Sequence, residues 1–277
     1  MRRLTEDSLT SDEYPHDEIY NAVSKISPYA HATPATRIIE YSRSEALQGG
    51  LSRSGTAFRH LEESDAVDIP DAPSSSLGKV LAARRSVREF GGGSLPDYVI
   101  AALLRPYFVR QESRPGVYVS EVPSAGALHG LEIAAATLDE GYVVEAWART
   151  PNLNMITKIK DFKKTSMNVI STNPLALTNA SHLVFIFGNY GRTRIKYGLR
   201  TLRLLHIEAG CCVMAMQLLA VEMGIGCYIS TEFYDNSVEQ MFGVDGNNIS
   251  LITTLVLGKM KGGESNVPGD RYPTNGR

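Results

Sequence analysis

The sequence predicts an α+β domain preceded by an acidic, partly helical extension, and three observations carry that expectation. Residues 1–75 hold 7 basic and 13 acidic side chains and close in the turn-prone run Asp68 to Ser76, whereas the remainder holds 21 basic and 17 acidic. Beyond that run the elements read helix, helix, several strands, one long helix and a last strand, which suits an α+β domain better than a regular βαβ alternation. The 277 residues are 43% hydrophobic and 21% charged, the composition of a globular chain with a substantial core. The chain therefore divides into an extension at 1–75 and a domain at 76–277.

Each element follows from its residues. In the extension, Ile19, Ala22, Val23 and Ile26 recur at helical spacing within Asp17 to Ile26. Ser76 can cap a helix whose apolar positions are Leu77, Val80 and Leu81. Ser94 with Asp97 reads as a capping box for a second helix with Pro96 in its first turn and Val99, Ile100, Leu103, Leu104 and Tyr107 on its apolar face. Strands are expected at Gly116 to Val122, Leu131 to Leu138, Tyr142 to Ala148, His182 to Tyr190 and Ile249 to Gly258, where β-branched and aromatic residues dominate. Thr201 to Met223 is the longest helix candidate, closed by Gly224. Being apolar almost all round, it is expected to be a buried spine or a subunit interface.

Bulk properties exclude several functions. A formal net charge of -2 argues against a strongly basic nucleic-acid binder. Cys211, Cys212 and Cys227 lack any spacing that would hold zinc or an iron cluster and read as buried thiols; no metal site is expected. The charge-free stretch Ala209 to Val221 is shorter than the roughly 20 residues of a membrane span, so no membrane association is expected. The first residues carry acids where a signal peptide carries its apolar stretch, which makes the cytoplasm the expected location.

Candidate chemistry begins at Arg84, Arg85, Ser86, Val87 and Arg88. In an extended segment, residues 84, 86 and 88 point to one side, so two guanidiniums and a hydroxyl can meet a phosphate with an adjoining polar chain. A solvated basic turn is the plain alternative. The loop Pro123, Ser124, Ala125, Gly126 consists of small residues that permit close backbone approach to a flat ring system, or simply form a turn between strands. Gly224 and Gly226 shape a tight turn after the long helix. Lys259 and Lys261 follow the last strand as possible cationic ligands or as solvated lysines. His129 and His206 are taken as structural groups.

Together these segments resemble the nitroreductase superfamily. RRSVREF (Arg84 to Phe90) between two short helices looks like its N-terminal FMN motif, and PSAGALHGLEI, the helix after HIEAG, the loop MGIGCY and a final Gly258-Lys259 follow in the family's order over residues 76 to 262. The resemblance implies a nitroreductase-like fold with a central, mostly antiparallel sheet. It also implies FMN held by Arg84, Arg85, Ser86, Arg88, Pro123, Ser124, Ala125, Gly126, Gly224, Gly226, Lys259 and Lys261, and a homodimer with FMN at its interface.

Within the superfamily, the long extension and the PSAGALH segment are most similar to SagB-type azoline dehydrogenases, although His129 and Gly130 stand where that pattern has Tyr-Pro. In members from azole-forming peptide pathways a Lys-Tyr pair precedes the central helix, and Lys196-Tyr197 matches it. The resemblance thus implies oxidation of thiazoline or oxazoline rings in a ribosomally made peptide, with Lys196 and Tyr197 catalytic and a cyclodehydratase as partner. Aromatising such a ring removes a proton to a base and a hydride to the flavin. Lys196 can serve as base only if burial or the nearby Arg194, Arg200 and Arg203 lower its pKa. Two neighbours in sequence cannot share one face of a regular strand or helix, so Lys196 and Tyr197 imply a loop or a helix end. The alternatives are a basic surface loop at this position, an NAD(P)H-dependent nitro or quinone reductase, and a non-catalytic scaffold of a peptide-modifying complex.

Overall fold

The computed structural model describes residues 16–27, 43–46, 75–149 and 155–262. The boundary run Asp68 to Ser76 lies outside the described residues except for Ser75 and Ser76. The helices are α1 (His16–Ser24), α2 (Ser76–Ala83), α3 (Asp97–Phe108), α4 (Met167–Ile170), α5 (Tyr190–Tyr197), α6 (Thr201–Glu222) and α7 (Asp235–Phe242). The strands are β1 (Gln111–Arg114), β2 (Val117–Val119), β3 (Leu131–Asp139), β4 (Tyr142–Arg149), β5 (Ile156–Lys158), β6 (Thr165–Ser166), β7 (His182–Asn189), β8 (Ile225–Ser230) and β9 (Ile249–Lys259).

The expected α+β architecture is present. Strands β5-β4-β3-β7-β9-β8 form the main sheet in that order, β6 pairs with β4, and every pairing is antiparallel. Strand β7 runs through the middle and is buried on both faces, which explains its unbroken apolar sequence. Val184 and Ile186 enter the core shared with α3 and α6, while Leu183, Phe185 and Phe187 enter a second core with α4 and α7. The sheet is thus the middle of three layers.

Two helix starts differ from expectation. The side chain of Ser75, not Ser76, accepts the backbone N–H of Gly78 at 3.1 Å and caps α2. The capping box at Ser94 and Asp97 does not form: Pro96 occupies the cap position with extended backbone, and the Ser94 hydroxyl donates to the Leu95 carbonyl at 3.2 Å. Proline fixes its own φ and begins the helix one residue later, which leaves Ser94 too far upstream to cap it.

The stretch from Tyr190 to Glu222 has the length and apolarity of a membrane-crossing helix, and 44% of its apolar window is buried within the fold. Its main part, α6, buries Leu205, Ala209, Cys212, Val213 and Met216 in the α3-facing core and leaves Ile207 and Met214 exposed. Burial raises the Cys212 thiol to about 12 and the Cys227 thiol to about 11, so both stay protonated and act as small apolar groups.

Helix α1 docks on its own chain through polar contacts. The Lys25 ammonium meets the buried Glu239 carboxylate of α7 at 2.7 Å, and the Asn21 amide donates to the Gly246 carbonyl at 3.2 Å. Of the apolar stripe legible in the sequence, Ile19, Ala22 and Val23 are exposed and Ile26 is half-buried.

Candidate active site

Two groups of the expected site residues are assembled, each on a different part of the scaffold. The first is the basic segment. Residues 84–90 lie along the ends of β8 and β9, where the Val87 N–H donates to the Cys227 carbonyl at 3.0 Å and the Gly91 N–H to the Lys259 carbonyl at 2.9 Å. Val87 and Phe90 are its anchors. A Cβ at Gly226 would lie 2.9 Å from Val87 Cγ1, and one at Gly258 would lie 2.6 Å from Phe90 Cδ1. These glycines are therefore required by the segment that packs on them. Gly224 with φ 68° turns the chain from α6 into β8, so the expected turn leads directly into an edge strand that sequence reasoning missed.

With Val87 and Phe90 tucked in, Arg84 is half-buried while Ser86 and Arg88 are exposed. The Arg88 guanidinium lies over the Tyr228 ring at 5.5 Å from its centroid, a cation–π contact that restrains it without using its N–H donors. Arg85 turns back and donates to the Ala82 and Arg84 carbonyls at 2.8 and 2.7 Å, which places its charge at the C-terminal end of α2. Lys259 runs beside Gly93, its ammonium 3.2 Å from where a Cβ would be. Lys261 is exposed and pairs with Glu89 at 3.4 Å.

The second group joins the small-residue loop to α5 and α6. Ala125 to Ala127 form one 3-10 turn, with Gly126 at φ 60° and Pro123 exposed at its entrance. The loop is tied to the buried Glu208 of α6, whose carboxylate accepts from Ser124 Oγ at 2.9 Å, the Ala125 N–H at 3.2 Å, the Gly130 N–H at 3.1 Å and the Tyr107 hydroxyl at 2.7 Å. Tyr107 in turn accepts the Leu131 N–H at 2.8 Å. Burial and the adjacent Glu208 charge push the Tyr107 phenol far up, so it remains a donor. The Gly130 N–H that meets Glu208 is a donor that proline lacks. His129 is buried, and its Nε2 meets the Tyr118 carbonyl at 2.9 Å, a structural role as expected.

Lys196 and Tyr197 close α5, the helix-end position their adjacency implied. Asn189 starts that helix by accepting the Arg192 N–H at 3.0 Å. Both reactive ends converge on the loop: a Cβ at Gly126 would lie 2.5 Å from Lys196 Nζ and 2.5 Å from the Tyr197 hydroxyl. The ammonium also sits 5.3 Å from the Tyr197 ring centroid. An ammonium and a phenol thus flank a loop of small residues, an arrangement able to pass a proton to or from a group lying on that loop. Of the arginines expected nearby, Arg194 pairs with Glu18 of α1 at 2.9 Å, and Arg200 and Arg203 are exposed.

Glu208 and Tyr107 were missed by sequence reasoning as parts of the site. The signal available was an acid inside an otherwise apolar helix, in the Glu-x-Gly segment.

Comparison with known proteins bears on the fold that carries these groups. The profile of the nitroreductase family matches residues 81–259. A Methanocaldococcus jannaschii protein named as a nitroreductase is 28% identical over 180 residues, which span 64% of this chain and 89% of that protein. Among solved structures, the E. coli microcin synthetase McbBCD complex with truncated pro-MccB17 bound matches with a TM-score of 0.55 and 14% identity, over 94% of this chain and 99% of the matched one. A Ralstonia eutropha structure named as a nitroreductase matches with a TM-score of 0.52 and 15% identity, over 71% of this chain and 89% of its own. At such identities the two structures speak for the fold, and the profile, which spans more than half of the chain, speaks for descent: the chain belongs to the nitroreductase family of flavin-dependent oxidoreductases.

Proposed function

We propose that this protein is an FMN-dependent dehydrogenase that oxidises thiazoline or oxazoline rings of a ribosomally made peptide to thiazoles or oxazoles. The observation that carries the reading is the convergence of Lys196 Nζ and the Tyr197 hydroxyl on Gly126. A nitro or quinone reductase that takes its electrons from a nicotinamide has no need of a base at that place, whereas aromatising an azoline does.

The residues present fit FMN. Arg84, Ser86, Arg88 and Lys259 supply guanidinium, hydroxyl and ammonium donors of the kind a phosphate and a polyol chain take up, on backbone fixed by Val87 and Phe90. Ser124, Ala125 and Gly126 offer a thin surface, held by Glu208, against which a planar ring can lie. When bound there, FMN supplies the two-electron acceptor. The chain's own part is to orient the azoline over the loop, to receive the ring proton at Lys196 Nζ, and to hold it through the Tyr197 hydroxyl. Proton transfer to Lys196 takes place at the lone pair of its neutral amine.

Two further observations support the setting. The likeness to the microcin synthetase complex, whose structure contains a bound propeptide, extends over 94% of this chain. It supports a peptide substrate and a cyclodehydratase partner that forms the rings as parts of the same proposal. Ile207 and Met214 on the outer face of α6, with Ile195 and Leu199 just before it, are exposed apolar side chains suited to a homodimer contact.

The reading is tested with Lys196→Ala and Tyr197→Phe. Each variant is expected to bind FMN as the parent does and to lose peptide oxidation, followed by mass spectrometry as loss of two hydrogens per ring. A fully active Lys196→Ala overturns the assignment of the base.

A further inference from the structure

Three guanidiniums meet at a place that the proposed reaction does not use. Arg110 just after α3, Arg149 at the end of β4 and Arg192 in the first turn of α5 line a cavity of about 430 Å³, whose wall includes Phe187 and Phe242. The volume is that of a small-molecule site. Glu132 is the acid among the lining residues, and it is already engaged by Arg192 and by the Asn189 amide at 3.2 Å. Among the described residues the lining therefore carries three arginines and one carboxylate.

The cluster is built rather than incidental. Arg149 Nε donates to the Phe108 carbonyl at 3.1 Å, and Arg192 Nη1 donates to the His129 carbonyl at 2.6 Å, so two of the three side chains are fixed by backbone acceptors. Burial and the nearby Arg149 and Arg192 charges all disfavour the cationic form of Arg110. Like charges gathered in a half-buried cavity repel one another more strongly than in water, and an anion placed among them relieves that repulsion. Planar guanidiniums suit the oxygens of carboxylates and phosphates in particular.

We propose that this cavity binds an organic oxyanion, a carboxylate or a phosphate on an apolar body, with its head among Arg110, Arg149 and Arg192 and its body against Phe187 and Phe242. Arg192 lies one helical turn before Lys196 on α5. Its bond to His129 also reaches the end of the loop that contains Gly126. An occupant therefore touches the elements that hold the Lys196-Tyr197 pair, and an acidic side chain of a peptide or a small phosphorylated metabolite would both satisfy the chemistry.

The test is calorimetric titration of FMN-saturated protein with benzoate, phenyl phosphate and inorganic phosphate, against sodium chloride at equal ionic strength. A chain that takes up no FMN is titrated bare, as parent and as Arg88→Ala, so that failure of the flavin reading is seen separately. The expected result is saturable binding of benzoate or phenyl phosphate, weakened about tenfold or more in both Arg110→Gln and Arg149→Gln. Arg110→Lys and Arg149→Lys keep the charge and are expected to retain part of the affinity, which separates loss of the ligand contact from loss of the fold. Preference for benzoate assigns a carboxylate ligand, and preference for phenyl phosphate assigns a phosphate ester. Absence of saturable binding, affinity unchanged in both glutamine variants, or inorganic phosphate binding as tightly as phenyl phosphate overturns the proposal.

Discussion

Replacing Glu208 by alanine removes the acceptor on which the Ser124–Gly130 loop is hung. Four donors converge on that carboxylate, and the side chain is only 3% exposed. Two of them, the Tyr107 hydroxyl and the Gly130 N–H, are buried, so in Glu208→Ala they lose this partner without gaining water, and the hydroxyl keeps only a long 3.4 Å contact to the Leu131 carbonyl. At about 1–3 kcal/mol for each orphaned buried donor, the loss is about 4 kcal/mol, and Ser124 and Ala125 add less because they are half-buried. For a chain of this size a change of 1 kcal/mol moves Tm by about 2–4 °C, so Glu208→Ala is expected to melt about 10 °C below the parent. Glu208→Gln keeps one carbonyl oxygen for Tyr107 and Gly130 but turns an NH2 toward the Ala125 N–H, and its loss is expected to be about half as large. Lys158→Ala, at an exposed ion pair with Glu145, serves as the unaffected control. The assay is thermal unfolding followed by circular dichroism, with FMN retention measured on the folded protein. A Glu208→Ala melting point within about 2 °C of the parent refutes the role given to the carboxylate.

Other substitutions probe the two groups separately. Gly126→Ala places a methyl 2.5 Å from both Lys196 Nζ and the Tyr197 hydroxyl at φ +60°; the flexible side-chain ends move aside, so steady-state kinetics should show a large fall in turnover with a stability cost of about 1 kcal/mol. Gly258→Ala presses on Phe90 at 2.6 Å and displaces the basic segment; FMN titration should show weaker binding together with about 1–3 kcal/mol of destabilisation by urea unfolding, and unchanged FMN affinity contradicts the anchoring argument. His182 is buried and held neutral, its pKa lowered from 6.5 to about 4 by burial. The unfolded chain therefore binds the extra proton between those values, and stability is complete above pH 6.5 and lost as pH falls toward 4. At about 1.4 kcal/mol per pH unit the loss is roughly 3 kcal/mol, and a Tm-against-pH curve for His182→Gln should be flatter across that window.

Strands β7 and β9 of the central layer and helix α6 beside it were legible because they are apolar on most sides, and such segments have few alternatives to burial. Elements at the edge were harder to see. Strand β8 opens Ile-Gly-Cys, and its Gly226 reads as a turn until Val87 and Phe90 are seen to require the missing side chain. Helix α7, DNSVEQMF, has few apolar residues, and its Glu239 is buried only because Lys25, Ser250 and the Leu251 N–H surround it. That same carboxylate sets how α1 docks, since its partner Lys25, just after the helix, faces inward and Ile19 and Val23 are left outside.

At the site, Lys196-Tyr197 and the small-residue loop were each visible as short motifs, but their meeting at Gly126 joins residues far apart in the chain. The bond network around Glu208 connects α3, the loop and α6, and nothing in the local sequence of any one of them announces the other two. Arg85 shows how a side chain's direction escapes the motif that contains it. A charge at the right place in a motif turns back to cap the helix before it.

The central claim is that the flavin takes its electrons from an azoline ring. Anaerobic mixing of FMN-loaded protein with an azoline-containing peptide tests it most directly, read as bleaching of the flavin absorbance and as loss of two hydrogens per ring. The account predicts bleaching by the peptide that is abolished in Lys196→Ala. A flavin that stays oxidised with the peptide and bleaches with NADH or NADPH alone contradicts it.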